Sequence, residues 1–309
     1  MHTKLFALLL LVSRTIAGKG TKSMVKCDGQ IFRQTYFDKY TLFEGLGKPY
    51  NLMMHKYTGN LFFSHTIQNG TKIDFGIMSC HVETRNCINI DGVPGGHAIA
   101  YDRGNKAVYF GGHNGIYNYN VRKNKLKFFG AKGRSIWGLF IRRNFYYIEY
   151  PSQQLYIYNA GKFKQVKEAI GIEIDNFFVT RRFEIYYTNK TGVYKLEKPS
   201  KPPKVLSKKI IVSQITQDIY GDLYFCANDG IYIEDRRSEM IMKVADIHQP
   251  YGITFVRIVT NRGETNQLIY SDATSIYILL PSEHKDMCYK AITKAQKNSN
   301  TTRSTTKNP

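Results

Sequence analysis

At 309 residues the chain has room for two ordinary domains or one large all-β domain. Its 42% apolar residues supply a sizeable core and exclude disorder along the whole length, while 22% charged residues and no second long apolar run exclude a membrane-spanning protein. Forty-four Lys plus Arg against 24 Asp plus Glu leave a net +20 that attracts anions, and 23 Tyr and 18 Phe beside one Trp favour half-buried strands.

Residues 1–18 read as a secretory signal peptide, with His2 and Lys4 ahead of the apolar run Leu5–Val12 and small residues Ala17-Gly18 at the cleavage position. Eight apolar residues are too few to cross a bilayer. The mature chain is therefore expected outside the cell, in an oxidising environment where cysteines pair by default. Strand-like sequence follows at Arg33–Phe43, ahead of any repeat.

From there a repeat of about forty residues runs through the chain. An apolar-aromatic pair recurs as Phe62-Phe63, Tyr109-Phe110, Tyr146-Tyr147, Tyr186-Tyr187, Tyr224-Phe225 and Ile269-Tyr270, at separations of 47, 37, 40, 38 and 45 residues. A second mark follows: Gly115-Ile116-Tyr117, Gln154-Leu155-Tyr156, Gly192-Val193-Tyr194, Gly230-Ile231-Tyr232 and Ser275-Ile276-Tyr277, with Ile73-Asp74-Phe75 in that place in the first repeat after a longer insertion. A short apolar run precedes each pair, and a polar strand such as Lys125–Phe129 or Lys162–Val166 closes the unit. Turns such as Asp102-Arg103-Gly104-Asn105 and Asn228-Asp229-Gly230 suit hairpins. Six four-stranded units predict an all-β fold, a six-bladed β-propeller over 19–288 closed by an N-terminal strand that supplies the outer strand the last unit lacks. A pair of β-sandwiches with coincidental spacing is the alternative.

Of the five cysteines, Cys80 and Cys87 are close enough to bridge a hairpin, and a Cys27–Cys288 bridge would tie the two ends together, leaving Cys226 as a buried thiol. Asn69, Asn189 and Asn300 stand in glycosylation sequons. Residues 289–309 turn polar and basic and are expected to be a disordered, solvated tail.

In a propeller the innermost strands begin beside the central channel. The residues leading into them are Pro49-Tyr50-Asn51, Gly95-Gly96-His97, Ser135-Ile136-Trp137, Ile174-Asp175-Asn176, Val212-Ser213-Gln214 and Pro250-Tyr251. That mixture suits a flat aromatic ligand: Tyr50, Trp137 and Tyr251 would stack, while Asn51, His97, Asn176 and Gln214 would hydrogen-bond. The alternative is that these residues cap strands and plug the channel. Asn51, Asp175 and Asn176 also raise the possibility of a calcium-dependent lactonase or esterase of six blades, but no Glu stands at these positions and hard cations want several anionic or carbonyl oxygens. There is no G-x-S-x-G elbow, no thiol-enzyme context and no His spacing for a metal, so no catalytic residue, metal or cofactor is expected.

Arg142-Arg143 and Arg181-Arg182 fall in first-to-second strand hairpins, and Arg236-Arg237 in a third-to-fourth hairpin, with Arg122–Lys127, Lys162 and Lys198–Lys204 in or beside the latter. Both hairpin classes emerge opposite the channel mouth, which predicts a basic underside for an acidic surface or polyanion, or ordinary solubilising charge. Export argues against nucleic acid as the partner.

Several segments carry a resemblance: Pro94–Asp102, Ala107–Gly112 with Gly115-Ile116-Tyr117, Ser135-Ile136-Trp137 and Gly221–Phe225. On these the chain resembles the ommochrome-binding proteins of lepidopteran haemolymph. That resemblance implies a secreted, non-enzymatic carrier of a tryptophan-derived phenoxazinone pigment or its precursors, such as xanthommatin. It supplies no binding residues to transfer, and the basic balance and tail are not features it demands.

Overall fold

Short apolar runs punctuated by Gly, Asn and Asp turns fold as antiparallel strands in the computed structural model, which describes residues 25–159, 161–197, 202–208, 210–235, 237–238, 240–260 and 263–305, with side chains at all of these but 69, 260, 263 and 297–305. The signal segment, Arg236 and Lys198–Lys201 lie outside the described residues. After β1 (Gln30–Phe32) and β2 (Thr35–Phe43), the first sheet comprises β3 (Pro49–His55), β4 (Asn60–Asn69), β5 (Lys72–His81) and β6 (Cys87–Ile90). The second comprises β7 (Ala98–Asp102), β8 (Ala107–Gly112), β9 (Gly115–Asn120) and β10 (Lys125–Gly130). The third holds β11 (Ser135–Arg142), β12 (Asn144–Tyr150), β13 (Gln154–Asn159) and β14 (Lys162–Gln165). The fourth holds β15 (Asn176–Val179), β16 (Ile185–Asn189), β17 (Gly192–Leu196) and β18 (Lys204–Ser207). In the fifth are β19 (Val212–Gln217), β20 (Leu223–Ala227), β21 (Gly230–Asp235) and β22 (Met240–Ala245). The sixth joins β23 (Gly252–Thr260), β24 (Gly263–Ser271) and β25 (Ile276–Pro281) to β2 and then β1.

The recurring pairs explain how these sheets pack. Each pair lies on the second strand of its sheet, and successive side chains on a strand point to opposite faces. Phe62 accordingly packs between the first and second sheets while Phe63 packs between the sixth and first. Tyr186 and Tyr187 divide in the same way between the fourth–fifth and third–fourth interfaces, and Phe225 and Tyr224 between the fourth–fifth and fifth–sixth. Both faces of every second strand are thus buried, and the apolar core is a set of layers between consecutive sheets, the last packing on the first. Along the inside, β3, β7, β11, β15, β19 and β23 each touch the next, and β23 touches β3.

The second mark has a steric cause. Gly192 and Gly230 open the third strands with φ of +146° and +150°, and a Cβ there would stand 2.0 Å from the Ser207 carbonyl oxygen and 2.3 Å from that of Ala245 on the outer strands. Only glycine permits both the dihedral and the approach.

Both expected disulfides are present: Cys80 and Cys87 are directly paired across β5 and β6, and Cys27 joins Cys288, while Cys226 is a buried thiol. One expectation fails. Residues Lys285–Thr305 form a helix, α1, where a disordered tail over 289–309 was expected; positions 306–309 lie outside the described residues. The segment is polar overall, yet Cys288, Tyr289, Ile292 and Thr293 fall on one face at helical spacing and are buried or half-buried, and α1 packs on β2. The disulfide and this narrow stripe anchor a sequence whose Lys, Gln and Ala residues accept a helix readily. Among the described residues no helix is long and apolar enough to cross a membrane.

Candidate functional site

The inner strands all begin at one end of the ring, and bulges there aim the side chains. Ladder irregularities lie between Tyr50 and Met53, between Ile136 and Gly138, and between Val212 and Gln214, so that Asn51, Trp137 and Ser213 occupy re-aimed positions. Asn51 adopts φ of +53°, a left-handed conformation that Asn tolerates better than most residues.

Four of the expected residues form one continuous aromatic cluster. Tyr251 and Tyr50 meet edge to face with centroids 5.3 Å apart, and Tyr50 lies 6.3 Å from His97. The His97 imidazole stacks on the Trp137 indole at 3.8 Å with planes 10° apart. Two members escaped the sequence reading. Phe75 sits edge-on to His97 at 4.7 Å and also contacts Tyr50 and Trp137; Tyr150 tilts against Trp137 at 5.9 Å. The longer first-repeat insertion is the signal for Phe75, since it lengthens the β4–β5 hairpin so that its second strand reaches the mouth. Lys48, also unforeseen, lies 5.4 Å from the Tyr251 ring centroid.

His97 is 9% exposed. Its Nδ1 is 2.8 Å from the Trp137 carbonyl oxygen, which only accepts, so Nδ1 carries the hydrogen and Nε2 presents a lone pair. Burial pushes its pKa down to about 4, against a smaller opposing effect of that hydrogen bond, so the ring is neutral near pH 7. Nε2 has no partner among the described residues and is poised to accept a hydrogen bond.

The three amides are placed differently. Asn51 Nδ2 donates to the His97 carbonyl at 2.9 Å, and Asn176 Nδ2 donates to the Val212 carbonyl at 3.0 Å, each linking its inner strand to the next sheet. Gln214 reaches farther. Its Oε1 accepts the N–H of Ile253 at 2.9 Å and of Leu52 at 3.2 Å, while Nε2 donates to the Leu52 carbonyl at 3.0 Å. It therefore spans the fifth, sixth and first sheets, and a Cβ on Gly252 would strike Leu52 at 2.3 Å and approach Gln214 at 3.1 Å. Leu52 and Gln214 fill this part of the axis. Among the described residues the Asn176 and Gln214 side chains hydrogen-bond to backbone and to no ring of the aromatic cluster, which lies on the first, second, third and sixth sheets.

Asp175 accepts a hydrogen bond from Gln153, and burial raises its pKa. Among the described residues no group of three or more His, Cys, Asp or Glu is placed to hold a metal ion, and one half-buried carboxylate with two amides already bound to backbone does not fit a calcium ion. Asn189 of the second sequon is half-buried at a hairpin, its Oδ1 accepting the N–H of Thr191 at 2.9 Å. The Asn69 and Asn300 side chains lie outside the described residues.

No protein-family model matches the chain. It is 25% identical over 259 residues to the ommochrome-binding protein of Manduca sexta, an alignment covering 82% of this chain and 89% of that one. The chain is a relative of that protein. In this relative of an ommochrome-binding protein, two segments that carried the resemblance, Gly95-Gly96-His97 and Ser135-Ile136-Trp137, are those whose rings stack at the mouth. The fold is similar to a gluconolactonase of Xanthomonas campestris, with TM-score 0.60 and 11% identity over 86% of this chain and 99% of that one. It is also similar to the WD40 β-propeller domain of Doa1, with TM-score 0.51 and 10% identity over 83% and 98% of the two chains. At such identities these two likenesses establish the propeller-type architecture and say nothing of chemistry.

Proposed function

We propose that the chain is a secreted carrier, a six-bladed propeller that β2 closes by completing the last blade, and that it holds a planar aromatic ligand of ommochrome type at the channel mouth without turning it over. The aromatic cluster carries this reading. Tyr50, Tyr251 and Phe75 offer ring edges and faces, half-buried Trp137 and exposed Tyr150 add ring surface beside them, and His97 Nε2 accepts a ligand N–H or O–H. The Lys48 ammonium beside Tyr251 suits a ligand carboxylate. Asn51 and Asn176, each with Oδ1 unpartnered among the described residues, and Gln214, with one Nε2 hydrogen remaining, complete the site while holding the strand ends in place. The relative's name supports the ligand class, and the two disulfides support export.

Trp137 is the only tryptophan, so its emission reports on the mouth alone. Titration with xanthommatin is expected to quench it saturably, and His97→Ala to weaken binding by about tenfold through loss of one buried hydrogen bond and its stacking. Absent quenching, or equal affinity in the variant, would contradict the site; calcium-dependent hydrolysis of a lactone or aryl ester would contradict the non-catalytic reading.

A further inference from the structure

The opposite ends of the inner strands carry a second, unrelated feature. The β11 strand alone spans eight residues, which places its two ends on the order of 25 Å apart. At the far end the first-to-second strand hairpins of four successive sheets each present cations. Lys56 of the first sheet and Lys106 of the second both lie 4.8 Å from the centroid of the Tyr57 ring, binding the two hairpins into one surface. In the third sheet, Arg142 stands close enough to Arg103 of the second and Arg181 of the fourth for both to depress its guanidinium pKa, after the larger effect of burial. Arg143 lies 5.5 Å over the ring of Phe183 in the fourth, beside exposed Arg182.

None of these cations forms an ion pair among the described residues. Two carboxylates stand in these hairpins: Asp102, which accepts from Gly104, Asn105 and the Asn105 side chain within its own turn and keeps its negative charge, and Glu184, which pairs with Lys195 at 3.1 Å. In the fifth and sixth sheets the first-to-second strand region instead holds ion pairs: Asp222 with Arg33 of the β1–β2 turn at 3.3 Å, and Arg257 with Glu264. Seven cations, Lys56, Arg103, Lys106, Arg142, Arg143, Arg181 and Arg182, thus face the one carboxylate of Asp102 and leave a strong positive excess in an arc over four sheets.

We infer that this arc is a binding surface for a linear sulfated polysaccharide, whose regularly spaced oxyanions match cations repeated from sheet to sheet. Guanidinium forks suit such oxyanions. Tyr57 and Phe183, the exposed rings in the arc, each lie against a cation, so charge and not an apolar surface dominates the face.

The test is retention on immobilised heparin against rising salt. Arg103→Gln/Arg143→Gln/Arg181→Gln/Arg182→Gln removes four arc charges while sparing Arg142, which donates to the Val179 carbonyl at 3.3 Å. Lys164→Gln/Lys285→Gln/Lys290→Gln/Lys294→Gln removes the same charge from exposed positions on β14 and α1, outside these hairpins. The arc variant is expected to lose about a hundredfold in heparin affinity at physiological salt, and the control only a few-fold. Should the fourfold variant fail to fold, Lys56→Gln/Lys106→Gln is expected to lose about tenfold. Equal losses in arc and control variants would overturn the proposal, as would arc-dependent binding of single-stranded DNA or phosphatidylserine vesicles that exceeds binding of heparin. Xanthommatin quenching of Trp137 is expected to persist in every variant, which separates this surface from the mouth.

Discussion

His97 joins the site to the fold. Its folded-state pKa of about 4 lies below the 6.5 of an ordinary imidazole, so on acidification the unfolded chain takes up the proton first. The stability this group contributes is therefore intact above pH 6.5 and lost as pH falls from 6.5 towards 4, by about 3 kcal/mol over the window. Urea unfolding of the wild type and of His97→Gln at pH 7 and pH 4 isolates the contribution: the variant is expected to lose less stability on acidification by about that amount. Parallel losses would mean that the imidazole is not buried neutral against Trp137. The repeat placed His97 and the amides at the strand starts, and residue type suggested what they could bind. It could not show that Asn51, Asn176 and Gln214 each bind backbone of another sheet, because a side-chain amide serves a ligand and a neighbouring carbonyl equally well.

For the strands, burial on both faces of the second position in each sheet makes the core sensitive there and tolerant at the rim. Phe225 on β20 is fully buried, whereas Phe128 on β10 is 44% exposed. Phe225→Ala is expected to cost about 3–5 kcal/mol and Phe128→Ala no more than about 1 kcal/mol, measured by denaturant unfolding. Equal costs would contradict packing in layers between sheets. The same periodicity made most of this architecture legible: the Phe62-Phe63 to Ile269-Tyr270 series marked the second strands, and glycines such as Gly192 and Gly230 marked the third. The strand Thr35–Phe43 of the sixth sheet was legible outside the repeat as well, but other features were hidden. Phe75 and Tyr150 reach the mouth through hairpin length and geometry that no periodicity encodes, and α1 is held by a disulfide and a four-residue stripe too narrow to stand out in a basic, polar segment.

Across the whole molecule, two ends of the same strands carry different chemistry: an aromatic mouth with a neutral imidazole, and an arginine- and lysine-rich arc. The carrier reading requires the ligand at the first of these. Hydrogen exchange with and without bound xanthommatin tests that requirement directly. Slower exchange is predicted at the strand starts around Tyr50, His97, Trp137 and Tyr251 and in the hairpin bearing Phe75. Protection confined to the hairpins around Lys56, Arg103 and Arg142, or no protection at a saturating ligand concentration, would contradict it.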